Sequence, residues 1–276
     1  MVPNTRTCWL DSEKPMQADI FVRRRNERLI LFGAVAALTV GAIIITDYDV
    51  IAGFTSVSKA ITWGASNFYP DARSMQDLPN VLDKLWETVL MAIAATTTAS
   101  VMAVVLALLG SKTTRIHPLF TIPVRAFASF FRNFPLVGWA MVLMLAFSQS
   151  QLTGYLALVF GSVGYLTRAF METIDEVGVS SIEGLQATGA GYFHIVFQAI
   201  LPASLPLMIS WLLFMIDTNI RDAILVGLLT GTGIGFLFDL YYKSFNFHAA
   251  SVVTIVAALA VIVVEIASTS IRRVIL

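Results

Sequence analysis

Charge is scarce in this sequence. Only 13% of its 276 residues are Asp, Glu, Lys or Arg, against roughly 25% in a soluble domain. The deficit argues against an ordinary soluble protein. A formal net charge of zero leaves no bulk basic or acidic character to suggest nucleic acid. Cysteine is nearly missing. Cys8 stands alone, which excludes an intramolecular disulfide and a thiolate metal cluster, and a lone thiol near a terminus reads as inert. His117, His194 and His248 are too scattered to pair as ligands at helical spacing, so no metal site is expected. Nucleotide-binding loops are lacking too. "GSKT" (Gly110 to Thr113) has Ser111 between its Gly and Lys, and "GTGIG" (Gly231 to Gly235) has neither the full G-x-G-x-x-G spacing nor a preceding strand. No nucleophile or metal constellation marks an enzyme. No internal repeat marks a secondary transporter with an inverted second half.

What the sequence does have is apolar length. It is 57% hydrophobic, with a mean hydropathy of +0.77. A spanning helix needs about 20 mostly apolar residues, and six candidates are visible: 29–46, about 85–109, between 119 and 147 with its first turns at the interface, about 152–173, from after Pro202 into the 220s, and 249–269. The expected fold class is therefore an all-α integral membrane protein of about six helices.

Basic residues set the expected orientation. Arg23 to Arg28 precede the first span, Lys112, Arg115 and Arg125 follow the second, Arg168 lies near the end of the fourth, and Arg272 and Arg273 follow the last. All of these read as cytoplasmic, and both termini with them. Residues 1–28 are expected to be a cytoplasmic tail and 29–276 the transmembrane domain. The first span starts late and no convincing A-x-A site follows it, so it reads as an uncleaved anchor.

One polar island interrupts this pattern between the fourth and fifth spans: "EGLQATGAGYFHIVFQAILPASLP", Glu183 to Pro206. Ser180 and Glu183 fit a capping box that would start a helix. Gly189 and Gly191 are natural terminators. A second helical piece is expected over 192–201, with Tyr192, Ile195, Val196, Ala199 and Ile200 on one face, and Pro202 and Pro206 where the chain turns back into the bilayer. Pattern alone leaves two readings: a surface that docks in another protein's groove, or a loop resting on lipid headgroups.

The island resembles the EAA loop of binding-protein-dependent ABC importer permeases. Glu183 takes the acid position, Gly189 the glycine, and Leu201-Pro202 the final pair. Gly184 and Leu185 depart from the pattern's two alanines, and Ala199 from its usual Ile. A second stretch, "NIRDAILVGLLTGTGIG" (Asn219 to Gly235), is similar to phosphonate permeases and more loosely to methionine-type ones. Val226-Gly227, Gly231, Gly233, Gly235, Asn219 and Arg221 carry that likeness. The resemblance implies the type I ABC importer (MetI-like) permease fold. It implies a coupling loop at about 175–202, with Glu183, Gly184, Leu185, Ala187, Thr188, Gly189, Ala190 and Gly191 gripping an ATPase.

The implied function is transport without catalysis: the permease subunit of an importer for phosphonate, phosphate or phosphite. Methionine or another small solute, or a channel or secondary transporter, is the alternative. The implied partners are a second permease chain, two cytoplasmic ATP-binding subunits, an extracytoplasmic substrate-binding protein and membrane lipid, with no nucleic acid. No cofactor is expected in this chain; ATP and Mg belong to the partner ATPase. The chain itself is expected to be a multi-pass protein of the cell (cytoplasmic or inner) membrane.

Charges at membrane depth usually face a partner or a watery path. Asp217, Asn219, Arg221 and Asp222 are the candidates for a substrate pathway. Asp217 and Arg221 are four apart and share a helix face, so two readings stand for Arg221: an oxyanion contact, or a salt bridge to Asp217. Arg132 in "FFRNFP" reads as a cytoplasmic brace. Gly231, Gly233 and Gly235 read as gate or packing residues, through a bend or close helix contact.

Overall fold

The computed structural model describes the backbone of residues 14–115, 117–187 and 191–275, and the side chains of these except 14–22, 118, 178–187 and 275. Helices dominate, with no strand among the described residues. The chain divides into two compact units, 1–65 and 66–276.

In the first unit, helix α1 (Lys14–Ile45) carries the first expected span, and its apolar side chains from Leu29 to Ile45 are largely exposed. Helicity begins well before residue 29, so the second half of the expected tail is helix. Helix α2 (Val50–Asn67), most of which lies in this unit, fills part of the stretch between the first and second expected spans. Asp49 caps it by accepting from the Ala52 N–H at 2.9 Å, which satisfies one of the free donors of a first turn.

The second unit holds the bundle. Helix α3 (Leu78–Gly110) has Pro79 in its first turn, where a missing N–H costs nothing. It then presents a stripe of Ala92, Ala95, Ala99, Ala103 and Ala107, all fully buried. Small residues let helix backbones approach closely in lipid. Helix α4 (Pro118–Asn133) and helix α5 (Leu136–Phe147) meet at a 92° bend. Pro135 explains it, because a residue before proline is pushed to extended angles, and Phe134 sits at φ −84°, ψ 125°. The expected third span is thus broken in two. Phe131 stacks on Trp139 across the bend at 5.0 Å between ring centroids, and Phe160 meets Trp139 edge-on at 5.1 Å.

Helix α6 (Gln151–Ala187) lies amid α3, α4, α5 and helix α8 (Leu201–Thr230). Its Leu158, Ser162, Leu166, Phe170 and Ile174, four apart, are all buried, and so are Ala157, Val159, Val163 and Thr167 between them. Gly164 marks the crossing with α4. A Cβ there would lie 2.6 Å from the Arg132 backbone nitrogen and 2.8 Å from the Ala128 carbonyl oxygen. Arg132 itself lies over the Tyr165 ring, 5.9 Å from its centroid, a contact that braces the same crossing. Helix α9 (Gly233–Lys243) and helix α10 (Phe247–Ile275) close the unit. Ile234, Leu237, Val252 and Val253 form a second apolar cluster with Val81.

By length and apolarity four described stretches can cross a membrane, or five if the bent pair counts as one. The remaining expected span, carried by α6, has the length but not the apolarity. Its enclosure explains that: a helix wrapped by other helices is not required to be oily on every face.

Candidate functional site

The polar island differs from its expected form. No helix begins at Ser180, because the α6 backbone runs through it without interruption to Ala187. Extending an existing helix adds a hydrogen bond per residue fixed, whereas starting one carries a nucleation cost, so the local cap signal loses. Glu183, Gly184, Leu185 and Ala187 fall on this last stretch of α6 backbone, their side chains outside the description. Thr188, Gly189 and Ala190 lie outside the described residues altogether. Gly191 is the N-cap of the next helical run, at φ −72°, ψ 158°.

That run also corrects the Leu-Pro reading. Helix α7 (Tyr192–Ile195) passes into a π turn over Val196–Ile200 and then into α8, making one candidate span from Tyr192 to Thr230. The chain does not turn at Pro202. The wider turn loosens the backbone ladder immediately before Pro202, where a proline would otherwise remove a bond and clash.

Beneath the island a polar cluster ties three helices to one loop. The Ser111 hydroxyl, fully buried at the C-cap of α3, donates to Asp175 Oδ1 of α6 at 2.5 Å. The Thr113 N–H donates to the same oxygen at 3.1 Å. Arg125 of α4 stands 3.7 Å from the other carboxylate oxygen. Thr114 Oγ1 donates to the Leu108 carbonyl at 2.8 Å, and the Tyr192 hydroxyl donates to the Thr114 carbonyl. In the sequence this loop reads only as a failed Walker A. Its Ser and Thr directly after a long apolar run, where the last carbonyls of a helix need donors, were the available signal.

The four charged and amide residues of α8 separate by role. Asn219 is 1% exposed and donates from Nδ2 to Thr96 of α3 and Ser162 of α6, both at 2.7 Å. Both hydroxyls donate in turn to their own helices. Asn219 is therefore a tie among three helices, worth about 0.5–1.5 kcal/mol net per bond. Asp217 is buried and accepts from Arg221 Nη2 at 2.6 Å, while its other oxygen is buried with no hydrogen-bond partner. The Arg221 side chain is 45% exposed. Asp222 is half-buried beside it. The geometry joins Asp217 to Arg221, leaves part of the guanidinium outward, and draws Asn219 into the packing.

Gly231 and Gly233 make a tight reversal from α8 into α9, at φ +71° and +61°, angles that side chains rarely adopt. The Gly231 and Thr232 N–H groups both donate to the Gly227 carbonyl, and the Ile234 N–H donates to Thr88 Oγ1 at 2.9 Å. A Cβ on Gly235 would stand 2.1 Å from the Ile224 carbonyl oxygen. Gly235→Ala is expected to force α8 and α9 apart, costing about 1–3 kcal/mol. Lower thermal stability of the detergent-purified protein checks this, and an unchanged melting point would refute it.

The comparisons with known proteins agree with this architecture. The family model described as binding-protein-dependent transport system inner membrane component matches residues 99–275. The phosphate-import permease protein PhnE of Mycolicibacterium smegmatis is 30% identical over 190 residues, covering 69% of this chain and 36% of that protein. The phosphite transport system permease protein PtxC of Stutzerimonas stutzeri is 30% identical over 152 residues, covering 55% of each. The chain thus spans about a third and about half of these two relatives' lengths. A putative cryptic phosphonate transport system permease protein PhnE2 of Escherichia coli is 27% identical, covering 43% of this chain and 97% of that one. In fold, an inward-facing structure of the MetNI methionine ABC transporter matches with a TM-score of 0.65 at 19% identity, covering 75% of this chain and 99% of that chain.

Proposed function

The chain belongs to the binding-protein-dependent transport system inner membrane component family, and on that premise we propose that it is the permease subunit of an ATP-driven importer of a phosphorus oxyanion. The observation that carries the substrate class is that relatives of this chain bear phosphate, phosphite and phosphonate transport names. Arg221 supports it. A partly exposed guanidinium beside a buried carboxylate offers donors to a tetrahedral oxyanion, and the single carboxylate at Asp217 keeps the site from holding the anion too tightly. Two permease chains enclose the path. Two cytoplasmic ATPases, which bind ATP and Mg, dock on the segment from Glu183 to Gly191, and an extracytoplasmic binding protein delivers the anion. Both termini face the cytoplasm by the distribution of basic residues. The likeness to a methionine transporter supports the fold and not that substrate.

Uptake decides the proposal. Cells expressing this chain with its ATPase and binding protein are expected to accumulate phosphate, phosphite or methylphosphonate, with mutual competition and dependence on ATP. Uptake of none of the three, or uptake that persists without the ATPase, would overturn it. Copurification of an ATPase separates this reading from a channel or an ion-driven transporter.

A further inference from the structure

The loop from Ser111 to Arg115 touches both limbs of the island. The incoming limb is α6, held at Asp175. That residue lies about 12 Å before Glu183 along the helix, at 1.5 Å per residue. The outgoing limb begins at Tyr192, immediately after Gly191. Asp175 takes two hydrogen bonds from the loop, and Tyr192 gives one to it. The loop itself is continuous with α3, because Thr114 binds back to the Leu108 carbonyl and Ser111 N–H to the Ala107 carbonyl. α3 then packs along α6 and α8 through its alanine stripe and joins Asn219 through Thr96.

We infer that this loop is the strut through which movement of the Glu183 to Gly191 segment reaches the bundle, with Asp175 and Tyr192 as its positioning residues. The inference rests on the proposal that an ATPase docks on that segment. Its physical content is simple. A docking segment held by two flexible limbs absorbs a pull by bending, whereas one pinned on both sides to the end of a 33-residue helix moves that helix. The pins are few: two bonds share one carboxylate oxygen, and the third is a single phenol. Asp175 and Tyr192 both lie outside the Glu183 to Gly191 segment, so neither change alters a residue of the docking segment.

The test uses the assembled transporter in proteoliposomes, with anion moved per ATP hydrolysed as the readout. Tyr192→Phe removes only a hydroxyl from a partly exposed ring. Asp175→Ala removes the acceptor, and Asp175→Asn keeps one. Tyr192→Phe and Asp175→Ala are expected to hold the ATPase at wild-type stoichiometry, while anion moved per ATP falls about fivefold or more. Asp175→Asn is expected to recover most of it. Wild-type coupling in Tyr192→Phe overturns the strut, as does loss of the ATPase from it. Should Asp175→Ala fail to accumulate, the Tyr192→Phe ratio decides alone. Glu183→Lys serves as the control for the underlying proposal. Full transport in that variant removes the docking reading, whereas uncoupling there with normal Tyr192→Phe removes the strut alone.

Discussion

Arg221→Gln is expected to abolish uptake, and the double variant Asp217→Asn/Arg221→Gln is expected to restore the protein to the membrane while uptake at low anion concentration stays about tenfold or more below wild type. The single change leaves Asp217 buried and charged, its one partner at 2.6 Å gone and its second oxygen already without one. Breaking a buried pair by removing one member costs about 3–5 kcal/mol. The partial exposure of Arg221 puts this case at the lower end. That is still a large fraction of the roughly 5–15 kcal/mol that holds a protein folded, so low abundance alone would silence the single variant. A neutral amide in place of the Asp217 carboxylate needs no counter-charge, and the double variant removes that penalty. What it does not replace is the outward guanidinium. If Arg221 meets the anion as proposed, losing a charge-assisted contact of about 1.5–3 kcal/mol is expected to lower anion affinity by roughly tenfold to a hundredfold. Immunoblots of the membrane fraction and uptake of the radiolabelled anion measure the two effects apart. Wild-type uptake by the double variant would reduce Arg221 to a brace for Asp217.

Reversing the charge at the island is the second large effect. Glu183→Lys, and Gly189→Asp beside it, are expected to leave the protein in the membrane at normal amounts while uptake falls at least about tenfold, as for a lost interfacial contact of roughly 1.4 kcal/mol or more. A charge placed wrongly at an interface repels a partner far more effectively than it unfolds a membrane bundle. Gly184 and Leu185 depart from the pattern that Glu183 and Gly189 keep, so substitutions there are expected to do less. Full uptake by Glu183→Lys at normal expression would take the island out of the mechanism.

These residues show where sequence reading reached and where it stopped. The spans carried by α1, α3, α8 and α10 are legible because each is a long apolar run. The break between α4 and α5 was written at Phe134-Pro135, yet both halves are apolar, and hydropathy alone joins them into one span. Helix α2 hides because Lys59 and its Ser, Thr and Gly residues dilute the apolar positions at Ile51, Phe54, Val57 and Ile61. At Ser180 and Pro202 the local signals were sound, but a helix already formed and a widened turn overrode them. The Asp217–Arg221 pair is four residues apart and could be read directly. Asn219 could not, since its partners lie 123 and 57 residues away. The same holds for Asp175 and Ser111, separated by 64. Sequence spacing reports contacts within one helix and is silent on contacts between helices.

The modest apolarity of α6 also bears on biosynthesis. A segment rich in Gly, Ser and Thr, with Arg168 inside it, gains little by entering lipid alone. Its buried hydroxyls and glycines become favourable only against α3, which precedes it, and α8, which is made after it. Asn219, which links Thr96 to Ser162, lies on the last of these three helices to be made, so α6 is expected to complete its packing only once α8 is present. A chain truncated before α8 should leave α6 accessible to aqueous thiol reagents from a cysteine placed at Ser162, and the full chain should protect it.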